Sequence, residues 1–316
     1  MIDDSDFFMT APDGLEIFVR HCRAEDPEGV VVISHGMAEH SGRYLHVAEQ
    51  LVEAGYHVYI PDHRGHGLTA ARAKDDENKI LGHFGDQNGW HRVVRDLRGL
   101  IAFAKESYPE LPLILIGHSM GSFIAQEVLY KEPVEIDALA LSGTGIADLL
   151  VSVGIAVAKV ERSLFGRRKP GPFLGFVAKR KFAKHIKDAH KTHAWLSRDS
   201  KVCEDFLADS LCGFDLSNQA AIDMMTALKN LHKNNQMERI PKNLPVYIFG
   251  GTEDALSWDG EASRWLATKY QMLGIKPIRL KLYEGGRHES FNEINKDEVI
   301  QGFTAWCDSI VRMRKP

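Results

Sequence analysis

Short runs of β-branched and apolar residues alternate along the chain with longer stretches whose apolar positions recur at helical spacing. Val30–Ser34 is apolar at nearly every position, the pattern of a strand buried on both faces. Leu15–His21, Tyr56–Ile60, Leu113–Ile116, Ala138–Leu141, Val246–Phe249 and Ile278–Tyr283 are predicted strands in the same style. Between them, Leu45–Glu53, Trp90–Glu106, Ser119–Tyr130, Glu261–Leu273 and Glu298–Val311 are predicted amphipathic helices. Pro112 and Pro245 stand just before two of the strands, where a missing amide does least harm. This alternation predicts an α/β fold, a mostly parallel central sheet flanked by helices on both faces.

The alternation breaks between about Gly145 and Asn235, which has no strand pattern and reads as several short helices. Pro170-Gly171-Pro172 forces a turn inside it. The expected organisation is therefore a core of residues 1–144 and 236–316, interrupted by a helical cap at 145–235.

With 316 residues, 44% of them hydrophobic and 26% charged, the chain can build one large domain and is neither disordered nor fibrous. No uncharged apolar run reaches the roughly 18–20 residues of a membrane span. The nearest, Leu149–Ala158, is stopped by Asp148 and Lys159. Met1-Ile2-Asp3-Asp4 is acidic where a secretory signal is basic, and no apolar segment follows it. Cys22, Cys203, Cys212 and Cys307 share no metal-like spacing and read as reduced thiols, so a cytoplasmic location and no metal site are expected. The net charge of −4 hides an asymmetry: residues 159–201 hold 13 Lys/Arg against 3 Asp/Glu, the remainder 26 against 40. No aromatic interleaving accompanies the basic segment, which argues against nucleic acid as partner.

Gly117-His118-Ser119-Met120-Gly121 directly follows a predicted strand and opens a predicted helix. A sharp turn there exposes the serine hydroxyl, and glycine is needed at both ends because the packing leaves no room for side chains. In such sites the acid and then the histidine come later in the chain, each just past a strand. Gly250-Gly251-Thr252-Glu253-Asp254 and Glu284-Gly285-Gly286-Arg287-His288 stand there, and His288 is the only histidine beyond Asp254 among 15 in all. Asp254 is the preferred acid, with Glu253, Asp259 and Glu261 as neighbouring alternatives. A pair of backbone amides must also hold the developing oxyanion. Met120, next to the nucleophile, and Met37, in the loop His35-Gly36-Met37 after an early strand, are the expected donors. The expected roles are Ser119 as nucleophile, His288 as general base and Asp254 as orienting acid, with no cofactor.

These motifs resemble the monoacylglycerol lipase and lysophospholipase group of α/β-hydrolases, its bacterial members in particular. The resemblance rests on His35-Gly36-Met37-Ala38-Glu39-His40-Ser41-Gly42-Arg43-Tyr44, Asp62-His63-Arg64-Gly65-His66-Gly67, Gly117 to Ser122, and Leu282 to Glu289 with Phe291-Asn292-Glu293. It runs from about residue 7 to residue 310 and is looser in the insertion, where Trp195-Leu196-Ser197-Arg198-Asp199 and Leu211-Cys212-Gly213-Phe214 also match. Ala38 replaces the first glycine of the animal lipases' oxyanion loop, and the segment after the acid, Ala255-Leu256-Ser257-Trp258, departs from relatives. Trp258 is expected to narrow the entrance.

The resemblance implies hydrolysis of a carboxylic ester of lysophospholipid or monoacylglycerol type. Small or aromatic esters, a proline-type peptidase and a silent binding scaffold are the alternatives. Ile146–Val160 and Phe173-Leu174-Gly175-Phe176-Val177 are expected to line an acyl slot. Arg167-Arg168-Lys169 and Lys179-Arg180-Lys181 are expected to favour transient contact with an anionic membrane surface. The residues do not fix an oligomeric state.

Overall fold

A computed structural model describes residues 3–4, 6–131, 134–173, 175 and 193–314, except the side chains at 3, 4, 131 and 149. Nine strands form one sheet: β1 (Asp3–Asp4), β2 (Phe7–Thr10), β3 (Glu16–Arg23), β4 (Gly29–Ser34), β5 (Tyr56–Pro61), β6 (Leu113–His118), β7 (Ala138–Ser142), β8 (Val246–Gly251) and β9 (Ile278–Tyr283). Their order is β1-β3-β5-β4-β6-β7-β8-β9, with β2 also on β3. From β5 through β9 every pairing is parallel, while β1, β2 and β5 each meet β3 antiparallel. All the expected strands are present; β1 and β2 are additions at one margin.

The central strands are buried on both faces, and their side chains alternate between two cores. Val30, Val32, Leu113 and Leu115 point into one cluster, and Val31, Ile33, Ile114 and Ile116 into the other. Helices α3 (Gly89–Ser107) and α4 (Met120–Lys131) cover the first cluster, through residues such as Val93, Leu97 and Ile124. Helix α1 (Leu45–Glu53) and the C-terminal helix Lys296–Arg314 cover the second, through Val47, Leu51, Phe303 and Trp306. A short helix α2 (Gly67–Arg72) follows β5. Strand β9 lies at the edge, where exposed Arg279 and Lys281 guard the open backbone.

Between β7 and β8 the described chain contains no named strand, only helices: α5 (Leu149–Phe165), α6 (Ser200–Ala208), α7 (Asn218–Leu231) and a short α8 (Asn234–Met237). Helix α5 packs on α7, and an isolated bridge joins Pro170 to Ser217 beside the turn expected at Pro170-Gly171-Pro172.

Strand register sets the position of everything chemical. Ser34 pairs with Gly117, His118 with Ser142, Ser142 with Phe249, and Gly251 with Tyr283. The carboxyl ends of β4, β6, β8 and β9 therefore finish at one edge, where the loops following parallel strands gather their side chains.

Candidate active site

Ser119 stands at the β6–α4 turn with φ +51°, a left-handed conformation uncommon for a non-glycine residue. The turn is pinned from both sides: Ser119 N donates to Ser142 O at 2.9 Å, and Ser122 N donates back to Ser119 O at 2.9 Å. A Cβ on Gly121 would strike the Ser34 carbonyl oxygen, and one on Gly117 the Gly121 carbonyl oxygen. Those contacts are why the turn needs glycine on each flank.

Asp254 is fully buried and His288 nearly so, and His288 Nδ1 stands 3.0 Å from Asp254 Oδ1. The backbones of their loops interlock, since Thr252 N donates to Tyr283 O at 3.0 Å and Glu253 N to Gly286 O at 2.9 Å. Gly251 lies against the Gly286 carbonyl so closely that no side chain fits. Glu253, the adjacent alternative, is exposed. Burial raises the Asp254 carboxyl, but the charge and hydrogen bond of His288 outweigh it and hold it below its ordinary value. Burial likewise opposes charge on His288, and Asp254 outweighs that, so the imidazole is held above its ordinary value. With Nδ1–H donated to the carboxylate, Nε2 keeps a free lone pair.

A cavity of about 130 Å³ contains Ser119, His288, His118 and the loop Gly36-Met37-Ala38 on its wall. Its apolar lining comes from Met37, Trp195, Leu196, Phe206, Phe214 and Leu256. The segment after residue 192 closes over it: His288 N donates to Trp195 O, Glu289 N to Leu196 O, and Gly213 N to Ala38 O. The Trp195 ring lies 5.2 Å from the His288 ring. No hydrogen bond joins Ser119 Oγ to His288 in this conformation; such contacts commonly tighten only around substrate. A Cβ on Gly36 would stand 3.3 Å from Ser119 Cβ, so the loop bearing Met37 packs directly on the serine. Met120 is the first residue of α4 and Met37 is part-exposed at the cavity.

Three residues of this wall carry polar or aromatic groups not singled out by pattern. His118 lies 4.9 Å from the His288 ring, and burial lowers it to about 4, so it is neutral there. Trp195 and Phe206 come from the insertion, where only contact with the sheet edge reveals their place. Leu256 faces the cavity, whereas Trp258, expected to narrow the entrance, is not on its wall. The expected acyl slot also differs. Along α5 the apolar residues Leu150, Val153, Val160 and Leu164 are 58–70% exposed and face solvent, away from this cavity. Of the second stretch, Phe173 is exposed, Gly175 lies on the cavity wall, and Leu174, Phe176 and Val177 lie outside the described residues.

Elsewhere, a groove of about 520 Å³ between α3, α4 and α7 lies away from Ser119 and His288. His40, Asp209 and Cys212 bring metal-type ligand atoms within 4.8 Å of one another. There His40 Nε2 already holds Asp209 Oδ2 at 2.8 Å, and its Nδ1 accepts the Gly42 amide.

A mostly parallel sheet that turns sharply into a helix at a serine is the architecture of the α/β-hydrolases, and this protein is one. Residues 25–295 match the Hydrolase_4 family, described as serine aminopeptidase S33, and the chain belongs to that family. It is 32% identical over 287 residues to the monoacylglycerol lipase of Mycolicibacterium smegmatis, covering 90% of this chain and 89% of that one. It is also 32% identical over 295 residues to the phospholipase YtpA of Bacillus subtilis, covering 92% and 98% respectively. Among solved structures, a thermostable carboxyl esterase of Bacillus coagulans in complex with glycerol superposes with a TM-score of 0.88. It shares 25% identity and covers 98% of this chain and 100% of its own.

Proposed function

We propose that this protein is a serine esterase that removes the acyl chain of a monoacylglycerol or lysophospholipid through an acyl-enzyme on Ser119. The observation that carries the reading is the buried His288–Asp254 pair at 3.0 Å, opening onto the same apolar-walled cavity as Ser119. The relatives' names support this reading: a monoacylglycerol lipase and a phospholipase act on lipids, and the carboxyl esterase on carboxylic esters.

Ser119 Oγ attacks the ester carbonyl as His288 Nε2 takes its proton, and Asp254 holds the ring in that tautomer. The Met37 and Met120 amides receive the oxyanion, each donor contributing about 10²–10³ in rate. The imidazolium then protonates the departing alcohol, and water, activated by the same histidine, releases the fatty acid. The described part of the insertion that reaches this edge of the sheet acts as a cap, with Trp195, Leu196 and Phe206 as its inner surface.

The family's description raises peptide cleavage as a second activity. An aminopeptidase site needs a free carboxylate for the substrate amine. Among the described residues, Glu39 and Glu289 on the wall both pair with Arg43, and Asp215 has a partner of its own. That supports ester over aminoacyl amide.

Contact with a lipid surface belongs to this reading, with a different footing from the one expected. Leu150, Val153, Val157, Val160 and Leu164 recur at helical spacing and form an apolar stripe on α5. Of the basic residues nearby, Arg168 forms an ion pair with Asp86, so it is spent inside the molecule. Lys169 remains exposed, and Lys179-Arg180-Lys181 lie outside the described residues. Among the described residues no helix is long and apolar enough to cross a membrane. The four unpaired cysteines support a cytoplasmic location.

A fluorophosphonate probe, a monoacylglycerol and an aminoacyl-nitroanilide test the reading together. Labelling at Ser119 with ester turnover, both lost in Ser119→Ala, is the expected result; amide turnover without ester turnover overturns it.

A further inference from the structure

One buried charge cluster beside the site has no part in the steps above. Arg43, in the 3-10 turn Ser41–Tyr44, reaches two loops at once. Its Nη1 donates to Glu39 Oε2 at 2.6 Å and to Glu289 Oε1 at 2.7 Å, and its Nη2 to Glu289 Oε2 at 2.6 Å. Glu39 passes the constraint on, because its Oε1 accepts the Gly36 amide at 2.5 Å and the Tyr44 hydroxyl at 2.8 Å. Gly36 immediately precedes Met37, and Glu289 immediately follows His288. The guanidinium also lies 4.9 Å from the centroid of Phe206, part of the cavity wall.

The side chains of Glu39, Arg43 and Glu289 are only 3%, 11% and 4% exposed. Burying two carboxylates and one guanidinium is a poor way merely to join two loops, since a well-packed apolar pair of equal volume does so at no desolvation cost. A planar fork adds fixed direction: two parallel N–H···O bonds to one carboxylate permit a single orientation.

We propose that Arg43 is a positioning residue that holds the oxyanion loop and the histidine loop in mutual register through Glu39 and Glu289. It also sets the charge His288 experiences, because the cluster carries one more carboxylate than cation. The proposal rests on the roles given above to Ser119, His288 and Met37. Among the described residues, the charged and titratable groups around His288 are Asp254 from the loop after β8, Glu289 on its own loop, Glu39 and Arg43 from the loop after β4, and His118 at the end of β6, with His193 and Asp215 of the insertion on the same cavity wall. Burial pushes the Glu39 carboxyl up, but Arg43 and the nearby histidines pull it down to about 2, so it is ionised throughout the working range.

Steady-state kinetics and pH–rate profiles of Arg43→Met, Arg43→Lys and Glu289→Gln test this, with a soluble ester as substrate. Arg43→Met is expected to lose about 10²-fold in kcat with little change in KM, the scale of a misplaced reacting group. Arg43→Lys keeps the charge without the fork, so it recovers part of kcat with the acid limb of kcat/KM in its native place. Glu289→Gln removes a negative neighbour of His288 and shifts that limb to lower pH, an effect that loss of mere structural support does not produce. A kcat within about twofold of native in Arg43→Met, or an unmoved limb in Glu289→Gln, overturns the proposal. Where Arg43→Met fails to fold, the lysine and glutamine variants carry the same test. Ser119→Ala separates the two levels: residual turnover there sinks the catalytic assignment itself, whereas an inactive Ser119→Ala with an unmoved limb sinks only the Arg43 role.

Discussion

Asp254 Oδ1 and His288 Nδ1 lie 3.0 Å apart although 34 residues separate them in the chain. The pair is buried, and backbone hydrogen bonds between the loops after β8 and β9 hold the two residues' main chains in place. That contact sets the pH dependence of the proposed reaction. His288 must be neutral to act as base, and the Asp254 carboxylate outweighs burial to hold it above its ordinary 6.5. kcat/KM is expected to rise with pH through a midpoint above 6.5. In Asp254→Asn the midpoint should drop and kcat fall by about 10⁴-fold. A pH–rate profile checks both.

The nucleophile turn tolerates no bulk. Gly121→Ala places a methyl on the Ser34 carbonyl at the heart of the sheet edge. Overpacking of this kind costs about 1–3 kcal/mol or more. Denaturant titration should show the loss, together with reduced fluorophosphonate labelling; native stability in this variant would contradict the packing described.

Arg64 is completely buried, forked onto Asp96 at 2.7 and 3.0 Å and onto Asp13 at 2.9 Å with both amino nitrogens' partners. Removing one member of a buried pair strands the others, so Arg64→Met is expected to lose about 3–5 kcal/mol. Unfolding midpoints of this variant and of an Arg64→Met/Asp96→Leu double variant would show the stranded charge as a partial recovery in the double.

Acid should destabilise the fold through buried histidines that stay neutral. Burial holds His35 at about 4 and His66 at about 3, against an ordinary 6.5. An unfolded chain takes up these protons below 6.5 while the folded one refuses them. Stability is therefore whole above that pH and is lost as pH falls toward 4, by up to about 1.4 kcal/mol per unit for each ring. Urea midpoints measured across this window should decline steadily; a flat profile refutes the assignment of these rings as neutral.

On α5, Val160→Asp with Leu164→Asp puts charge into the exposed apolar stripe. Binding to vesicles of zwitterionic and anionic lipid is expected to fall, with hydrolysis of a soluble short ester unchanged. Equal vesicle binding by native and variant protein would remove the lipid-surface role.

The order of strands and helices and the serine turn were readable from residue pattern, because buried parallel strands demand continuous apolar runs and a tight turn demands glycine. Asp254 and His288 could be placed only by their distance past a strand; register then set them against each other, and buried Asp254 against exposed Glu253. The sequence showed the apolar stretch Ile146–Val160 but not its direction: Leu150, Val153 and Val160 point outward, where an acyl slot was expected. The basic stretch likewise concealed that Arg168 is answered by Asp86, 82 residues earlier. Local chemistry prescribes which segments become strand, helix or turn, since those choices depend on near neighbours. Which side chains face one another across the sheet edge, as Arg43 faces Glu289 246 residues further on, depends on long-range register, and only the folded chain brings them within bonding distance.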